Sequence, residues 1–357
     1  MIQARIKKLR EKLLNHSIKG LIVSKPENIY YLSAFSGEGL TIITDEVNYI
    51  ITDFRYVEQA KHETTGFEIV ETRPGVSIFS AAYELIKELN LKNIGVESHS
   101  LTVKEYDELS DICEGVNLIK TEGLVEDLRI IKDTSEIAFI KSAQQITDKA
   151  FEHILAFFKP GVRELDLVAE LEYFMKKSGS KNTAFETILI SGPKTSLPHG
   201  VPSERKLQRK DFVTIDFGAR FKGYCSDMTR TVIIGEPSEQ QLSIYNAVLD
   251  AQNKALEAIK PGLKGKDIDD VARRHISDRG YGNYFGHGLG HGVGLEIHEA
   301  PRLSPNVENV LLPGMVVTVE PGIYIKHFGG VRIEDMVVLT EKGCENLTHS
   351  EKALICL

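Results

Sequence analysis

The chain has 357 residues, 42% of them hydrophobic and 26% charged, the composition of a globular protein long enough for two domains. Its formal charge is −8 with a pI near 5.8, and no run of Lys and Arg is dense enough to offset that, which argues against a nucleic-acid partner. The four cysteines, Cys113, Cys225, Cys344 and Cys356, are scattered with no Cys-x-x-Cys pair, so neither a disulfide scaffold nor a thiolate zinc site is expected.

In chain order, Arg5, Lys7, Lys8, Arg10, Glu11 and Lys12 interrupt the apolar positions of the first twenty residues, which leaves no signal-peptide core. No apolar run approaches the ~20 residues of a membrane span, so a cytoplasmic chain without a membrane partner is expected. Ile2, Ile6, Leu9, Leu13 and Leu14 recur at helical spacing and predict an amphipathic helix over 2–16. Gly20 then opens the short apolar run Leu21 to Ser24. Strands are expected over 40–44, 48–52, 68–70 and 94–97, with helices over 54–62, 78–89 and 103–112 between them. This alternation predicts a mixed α/β first domain, 1–125, followed by a second, 126–357. The first domain offers no convergent polar cluster, and its His16, His62 and His99 read as surface or satisfied residues.

Asp133 followed by Glu136 forms a capping-box pattern ahead of a helix with Ile140, Ala143, Ala150 and Ile154 on one face. The second domain then repeats itself. Phe157-Phe158-Lys159-Pro160-Gly161 ends one helix and a second follows through Leu167, Leu171 and Met175. About a hundred residues later, Ala258-Ile259-Lys260-Pro261-Gly262 ends a helix and another carries Ile268, Val271, Ala272 and Ile276. Strands follow each pair, which implies two similar halves with a pseudo-twofold relation.

Each half supplies two acids on a hairpin. The run from Phe212 breaks at Gly218 and Gly223 and resumes as a second run ending in Thr231-Val232-Ile233-Ile234, two strands joined by a turn, with Asp216 near the end of the first and Asp227 near the start of the second. A turn centred on Phe221 and Lys222 sets Asp216 opposite Asp227, where repulsion in a partly shielded site is about 4 kcal/mol at ~4 Å. In the second half Val316, Thr318 and Glu320 share one strand face, as do Arg332, Glu334 and Met336. Four bare carboxylates together are not tolerable, whereas two divalent cations nearly neutralise them. The run from Gly286 to Gly294 has Gly at every second position, so it is extended rather than helical. His287 and His291 then stand ~13 Å apart on one strand face, and a single metal takes only one. The alternating glycines let another backbone approach closely.

These residues resemble the creatinase/prolidase-like metallopeptidases of the pita-bread fold, in the Xaa-Pro dipeptidase and aminopeptidase P branch. The resemblance rests on Ser191-Gly192-Pro193, Pro198-His199-Gly200, Asp216-Phe217-Gly218, Gly223-Tyr224 through Asp227-Met228-Thr229-Arg230-Thr231, Gly286-His287-Gly288 through His291-Gly292-Val293-Gly294, Glu320-Pro321-Gly322 and Gly330-Val331-Arg332-Ile333-Glu334-Asp335. It extends to Asn28-Ile29-Tyr30-Tyr31-Leu32 and Phe35-Ser36-Gly37 in the first domain, and so covers nearly the whole chain. It implies a creatinase-like α/β first domain and a pita-bread catalytic second domain.

By that resemblance Asp216, Asp227, His291, Glu320 and Glu334 would hold two divalent ions, Mn²⁺ or Co²⁺, with Asp227 and Glu334 bridging. His199, His287 and His298 would bind substrate and stabilise the intermediate, and Glu320 would also shuttle a proton. Arg332 would orient acids or the substrate carboxylate, or else form an ion pair with Asp216 or Glu334. Tyr224 and Tyr324 read as core or rim residues, and Cys225 as packing. The implied reaction is hydrolysis of the bond before proline in a small peptide by a metal-bridged hydroxide. Aminopeptidase P activity on longer peptides, or a catalytically silent peptide-binding protein, is the alternative. A homodimer is also implied.

Overall fold

A computed structural model describes residues 1–357, which form two compact units, Met1–Arg129 and Ile130–Leu357. The first unit runs α1 (Ile2–Asn15), β1 (Gly20–Val23), α2 (Pro26–Ser33), β2 (Leu40–Thr44), β3 (Asn48–Thr52), α3 (Val57–Glu63), β4 (Glu68–Glu71), α4 (Ile78–Glu88), β5 (Asn93–Glu97), α5 (Val103–Ile112), β6 (Asn117–Thr121) and α6 (Glu126–Arg129). Its six-stranded sheet has the order β4-β3-β2-β1-β5-β6. The β1/β2 and β2/β3 pairs are antiparallel, and the rest are parallel. Strands β1, β2 and β3 are buried throughout, as an apolar strand covered on both faces must be.

Three elements here escape the periodicity, among them the single-turn α6. Helix α2 is only two turns long, begins with Pro26 and ends at Ala34 in the left-handed region. Strand β6, Asn-Leu-Ile-Lys-Thr, lies at the sheet edge, where one exposed side weakens the apolar signal. The unit also holds a polar cluster that was not expected. Buried Glu97 accepts from the Ser24 and Lys25 amides and from Asn28 Nδ2, which also donates to Glu126. Glu126 in turn bonds His99 Nε2 at 2.7 Å. The residues involved are ordinary capping and loop types in sequence, so only tertiary contact reveals the cluster.

The second unit contains α7 (Thr134–Leu155), α8 (Glu164–Lys177), β7 (Ile188–Ser191), β8 (Phe212–Phe217), β9 (Arg220–Phe221), β10 (Tyr224–Cys225), β11 (Met228–Ile233), α9 (Glu239–Ala258), α10 (Gly265–Asp278), β12 (Gly290–Gly292), β13 (Glu299–Leu303), β14 (Val316–Val319), β15 (Gly322–Ile325), β16 (Gly329–Arg332), β17 (Asp335–Leu339) and β18 (Cys344–Asn346). The capping box of Asp133 and Glu136 starts α7 as expected. In the first half α7 and α8 cover the sheet β11-β8-β7, burying Ile146, Phe151, Leu171 and Met175 against Val213, Ile215, Phe217 and Val232. In the second half α9 and α10 cover β13-β12-β14-β17-β18, with Ile244, Val248, Ile268 and Ile276 packed among Val317, Val319, Val337 and Leu339. The internal echo is therefore a repeated architecture.

Strand alternation does the rest. Odd-numbered residues of β8 face the helices, so Thr214 and Asp216 lie on the other face, as do Thr229 and Thr231 across the ladder. In β14 the same logic turns Val317 and Val319 to the helices and sets Thr318, and Glu320 beyond it, on the opposite side.

Candidate metal centre and active site

Both hairpins are interrupted, and the acids sit at the interruptions. The β8/β11 ladder pairs Asp216 with Thr229 and then gives way to the separate β9/β10 pair, Phe221 opposite Tyr224. The turn is Lys222-Gly223, both with positive φ (48° and 82°), which matches the right-handed twist of a tight hairpin. The expected turn centre was one residue too early. Each such step moves the pairing by two, so Asp227 lies diagonal to Asp216 instead of opposite it. In the second half β14/β17 and β15/β16 share one register, with Glu320 and Glu334 at the gap between them.

A polar seam joins the two hairpins. Glu334 N–H donates to the Thr229 carbonyl at 3.1 Å, and the Thr229 hydroxyl donates to Glu334 Oε2 at 2.6 Å. Arg332 N–H donates to Thr231 Oγ, whose own hydroxyl donates to the Arg332 carbonyl. Behind the seam, the fully buried Arg230 donates to the Thr229 and Glu334 carbonyls and pairs with Asp335 at 2.8 Å.

The close approach of β12 depends on its glycines. A Cβ at Gly290 would lie 2.0 Å from the Thr318 carbonyl oxygen, and one at Gly292 2.3 Å from the Ala300 carbonyl oxygen. That approach brings His291 N–H to Thr318 Oγ at 3.0 Å, and the Thr318 hydroxyl to Glu320 Oε1 at 3.1 Å.

The result is one convergent centre. Ligand atoms of Asp227, His291 and Glu334, all buried, lie within 4.8 Å of one another. His291 Nε2 is 3.5 Å from Asp227 Oδ2 and 3.4 Å from Glu320 Oε1. Asp216 joins the same cavity: its Oδ2 takes a 2.5 Å bond from Arg332 Nη2, while its buried Oδ1 has no partner. The cavity measures about 1010 Å³, and all nine residues singled out in the sequence line it: His199, Asp216, Asp227, His287, His291, His298, Glu320, Arg332 and Glu334.

The electrostatics are those of a cation site. Burial, then the charges of Glu334, Asp216 and Glu320, hold the Asp227 carboxyl well above its ordinary range. Burial followed by Glu320 and Asp216 does the same to Glu334. Glu320 is pushed up to about 7, chiefly by burial, with Arg332 opposing. Burial pushes His291 down to about 3, with the neighbouring His298 adding to it, so the imidazole is neutral. Acids that resist ionising and a histidine that resists protonation fit a divalent ion, because each gains a favourable partner on binding one. The unpartnered Asp216 oxygen and the oxygen-rich donor set agree with that fit.

Arg332 forms the ion pair with Asp216 and also donates to Thr229 Oγ, Tyr324 OH and the Pro198 carbonyl. Every branch of its guanidinium is engaged within the fold. His287 is equally committed. Its Nδ1 faces the Gly288 carbonyl at 2.8 Å, which only accepts, so Nε2 is the acceptor and Tyr324 OH donates to it at 2.9 Å. Tyr324, read from sequence as core or rim, is the hub between His287 and Arg332. Its shared face with Glu320 and Gly322, two residues apart each time, was the available signal. Arg302 was also missed. It is exposed, lines the cavity and has no ion pair.

Known proteins carry the same architecture. Residues 138–341 match the model of metallopeptidase family M24, and residues 5–131 match the creatinase/prolidase N-terminal domain. The chain is 43% identical over 360 aligned residues to an Xaa-Pro dipeptidase of Pyrococcus furiosus, covering 99% of this chain and all of that one. An Xaa-Pro dipeptidase structure from Bacillus anthracis superposes with TM-score 0.97 at 46% identity over the full length of both chains. An X-Pro aminopeptidase structure from Thermotoga maritima gives TM-score 0.91 at 38% identity, covering 96% of this chain and 98% of that one. The chain belongs to metallopeptidase family M24, and its first unit is a creatinase/prolidase N-terminal domain.

Proposed function

We propose that the protein is a dinuclear-metal exopeptidase hydrolysing the peptide bond before proline, an Xaa-Pro dipeptidase. The observation that carries this is the convergence of four carboxylates and one neutral imidazole on a single cavity whose deepest cation, Arg332, is already spent on Asp216. Asp216, Asp227, His291, Glu320 and Glu334 would hold the ions, and their hard oxygen donors favour Mn²⁺, with Co²⁺ the alternative. Such ions supply a nucleophilic water near neutral pH and polarise the scissile carbonyl.

The chain's own groups do the rest. Glu320, beside both Thr318 and His291, would take a proton and return it to the leaving nitrogen. His199 and His298 line the cavity as exposed rings and suit substrate binding and oxyanion stabilisation. With both nitrogens of His287 occupied, that residue contributes by fixing Tyr324. The amide before proline has no N–H, so recognition falls to ring shape, for which Phe185, Ile188, Leu197 and Ile297 offer apolar wall.

Arg302 favours the dipeptidase over the aminopeptidase reading. It lines the cavity without a carboxylate partner, as the free C-terminus of a dipeptide requires. The test is the purified protein with Mn²⁺, assayed on Xaa-Pro and on Xaa-Pro-Yaa. Faster turnover of the dipeptide supports this reading, and cleavage of the tripeptide alone moves it to aminopeptidase P. Cleavage of neither with two ions bound leaves the non-catalytic peptide binder. A cytoplasmic homodimer accompanies the proposal, its oligomeric state to be checked by light scattering.

A further inference from the structure

Glu164 is a fully buried carboxylate outside the metal centre, at the first turn of α8. Its Oε1 accepts from Ser191 N–H at 2.8 Å and from the Ser191 hydroxyl at 2.6 Å. Its Oε2 accepts from Ser203 N–H at 2.9 Å and from the Ser203 hydroxyl at 2.8 Å. Ser191 ends β7, and Ser203 closes the segment that follows it. Between them run a 3₁₀ turn, Gly192–Ser196, and then Leu197, Pro198 and His199, which line the cavity. One side chain thus ties both ends of a single cavity-wall loop, through two donors at each end.

Burying a carboxylate is costly unless it is fully hydrogen-bonded, and bonds to an ionised acceptor are the strong kind. Here those bonds fall on the two ends of the loop and none on the strands carrying the metal ligands. The first part of the loop has further ties: Lys194 Nζ lies 3.5 Å from Glu164 Oε2, the buried Thr195 donates to the Gly192 carbonyl and accepts from Gly330 N–H, and Arg205 donates to the Ser191 hydroxyl. The part that reaches the cavity is held more lightly, by Arg332 on the Pro198 carbonyl at 3.3 Å and Gly200 N–H on the Leu197 carbonyl at 3.1 Å. Released at the Ser203 end, the stretch 197–202 regains conformational freedom that these two bonds do not suppress. His199 sits near its far end and lines the cavity together with His287 and His298.

We infer that Glu164 is a positioning residue that fixes the His199 loop as one wall of the substrate site. The role rests on the peptidase reading of the cavity and acts through His199, with no contact to substrate.

The test is a double-mutant cycle on the Mn²⁺-loaded protein, combining Glu164→Gln with His199→Ala. In Glu164→Gln the amide nitrogen confronts a backbone N–H at one end, so that end is released. The expected result is a fall in kcat/KM on an Xaa-Pro dipeptide of about tenfold. Cation stoichiometry stays unchanged, and the double variant is no slower than His199→Ala alone. Losses that multiply in the double variant would overturn the inference, because a general destabilisation does not depend on His199. Hydrogen exchange supplies a readout independent of activity: amides over 192–202 should exchange faster in Glu164→Gln, and unchanged exchange there would also overturn it. Should Glu164→Gln fail to fold, Ser203→Ala removes one donor, and the same two criteria apply at smaller amplitude. Absence of peptidase activity in the unmutated protein would instead refute the peptidase reading, with loop exchange still deciding the role of Glu164.

Discussion

The Thr229 hydroxyl donates to Glu334 Oε2 at 2.6 Å and accepts from Arg332 Nε at 3.0 Å, so one small side chain on β11 orients an acid and a cation from the opposite hairpin. Such outer partners fix a ligand's direction and commonly contribute 10- to 100-fold in metal affinity. Thr229→Val keeps the shape and removes both bonds. Its Mn²⁺ affinity, measured by calorimetry, is expected to fall by about that factor.

Glu334, Asp216 and Glu320 all crowd Asp227 and hold its carboxyl up, after burial. Asp227→Asn should lose two-ion occupancy and lower kcat/KM by more than about 10³-fold, the scale of removing a principal electrostatic stabiliser. In chelator the variant should melt above the unmutated protein, because a buried, repelled charge is gone. Metal analysis with thermal denaturation checks both halves, and turnover near that of the unmutated protein with two ions bound would refute the site.

His287 provides a pH signature. Burial holds its pKa down to about 4 against an ordinary 6.5, so the folded state keeps it neutral. A depressed folded pKa means the contribution is present above 6.5 and is lost as pH falls towards 4, because the unfolded chain takes up the proton first. The loss is of order 3 kcal/mol at the low end of that window. Melting temperature followed from pH 7 to 4 should fall less steeply in His287→Gln than in the unmutated protein.

Arg302 should distinguish free from blocked C-termini. Arg302→Met is expected to raise KM for an Xaa-Pro dipeptide at least tenfold, about 1.4 kcal/mol. KM for the corresponding amide should stay nearly unchanged. Equal effects on both substrates would show that Arg302 does not meet the carboxylate.

Gly290 tolerates no side chain, since the Thr318 carbonyl oxygen occupies the space a Cβ needs. Gly290→Ala must push β12 from β14, and a cost above about 2 kcal/mol is expected. The strand carries His291, so Mn²⁺ affinity should drop with the denaturant midpoint.

Much of this molecule was legible in its sequence. Strong periodicity located α1, β2, β3, α4 and α5 within a residue or two, because each buries a regular apolar face. The repeated helix pairs disclosed the two halves, and the alternating glycines around His291 announced a close backbone approach before any coordinates did. Charge pointed to cations among Asp216, Asp227, Glu320 and Glu334, since that many acids on two hairpins are costly to bring together bare, and the family resemblance named them as ligands. Register was a different matter. The hairpin turn at Lys222-Gly223 differs by one residue from its neighbour in sequence, yet that step decides whether Asp227 lies opposite Asp216 or diagonal to it. Local composition barely separates those choices, and a pairing shift of two leaves Val213, Ile215 and Phe217 on the same face either way; the backbone at Lys222 and Gly223, both at positive φ, sets the register. Partner choice for Arg332, the hub role of Tyr324 and the clasp at Glu164 likewise depend on side chains far apart in the chain. Residue types stated what chemistry was available; long-range contact decided which groups were consumed by the fold and which, like Arg302, were left facing the cavity.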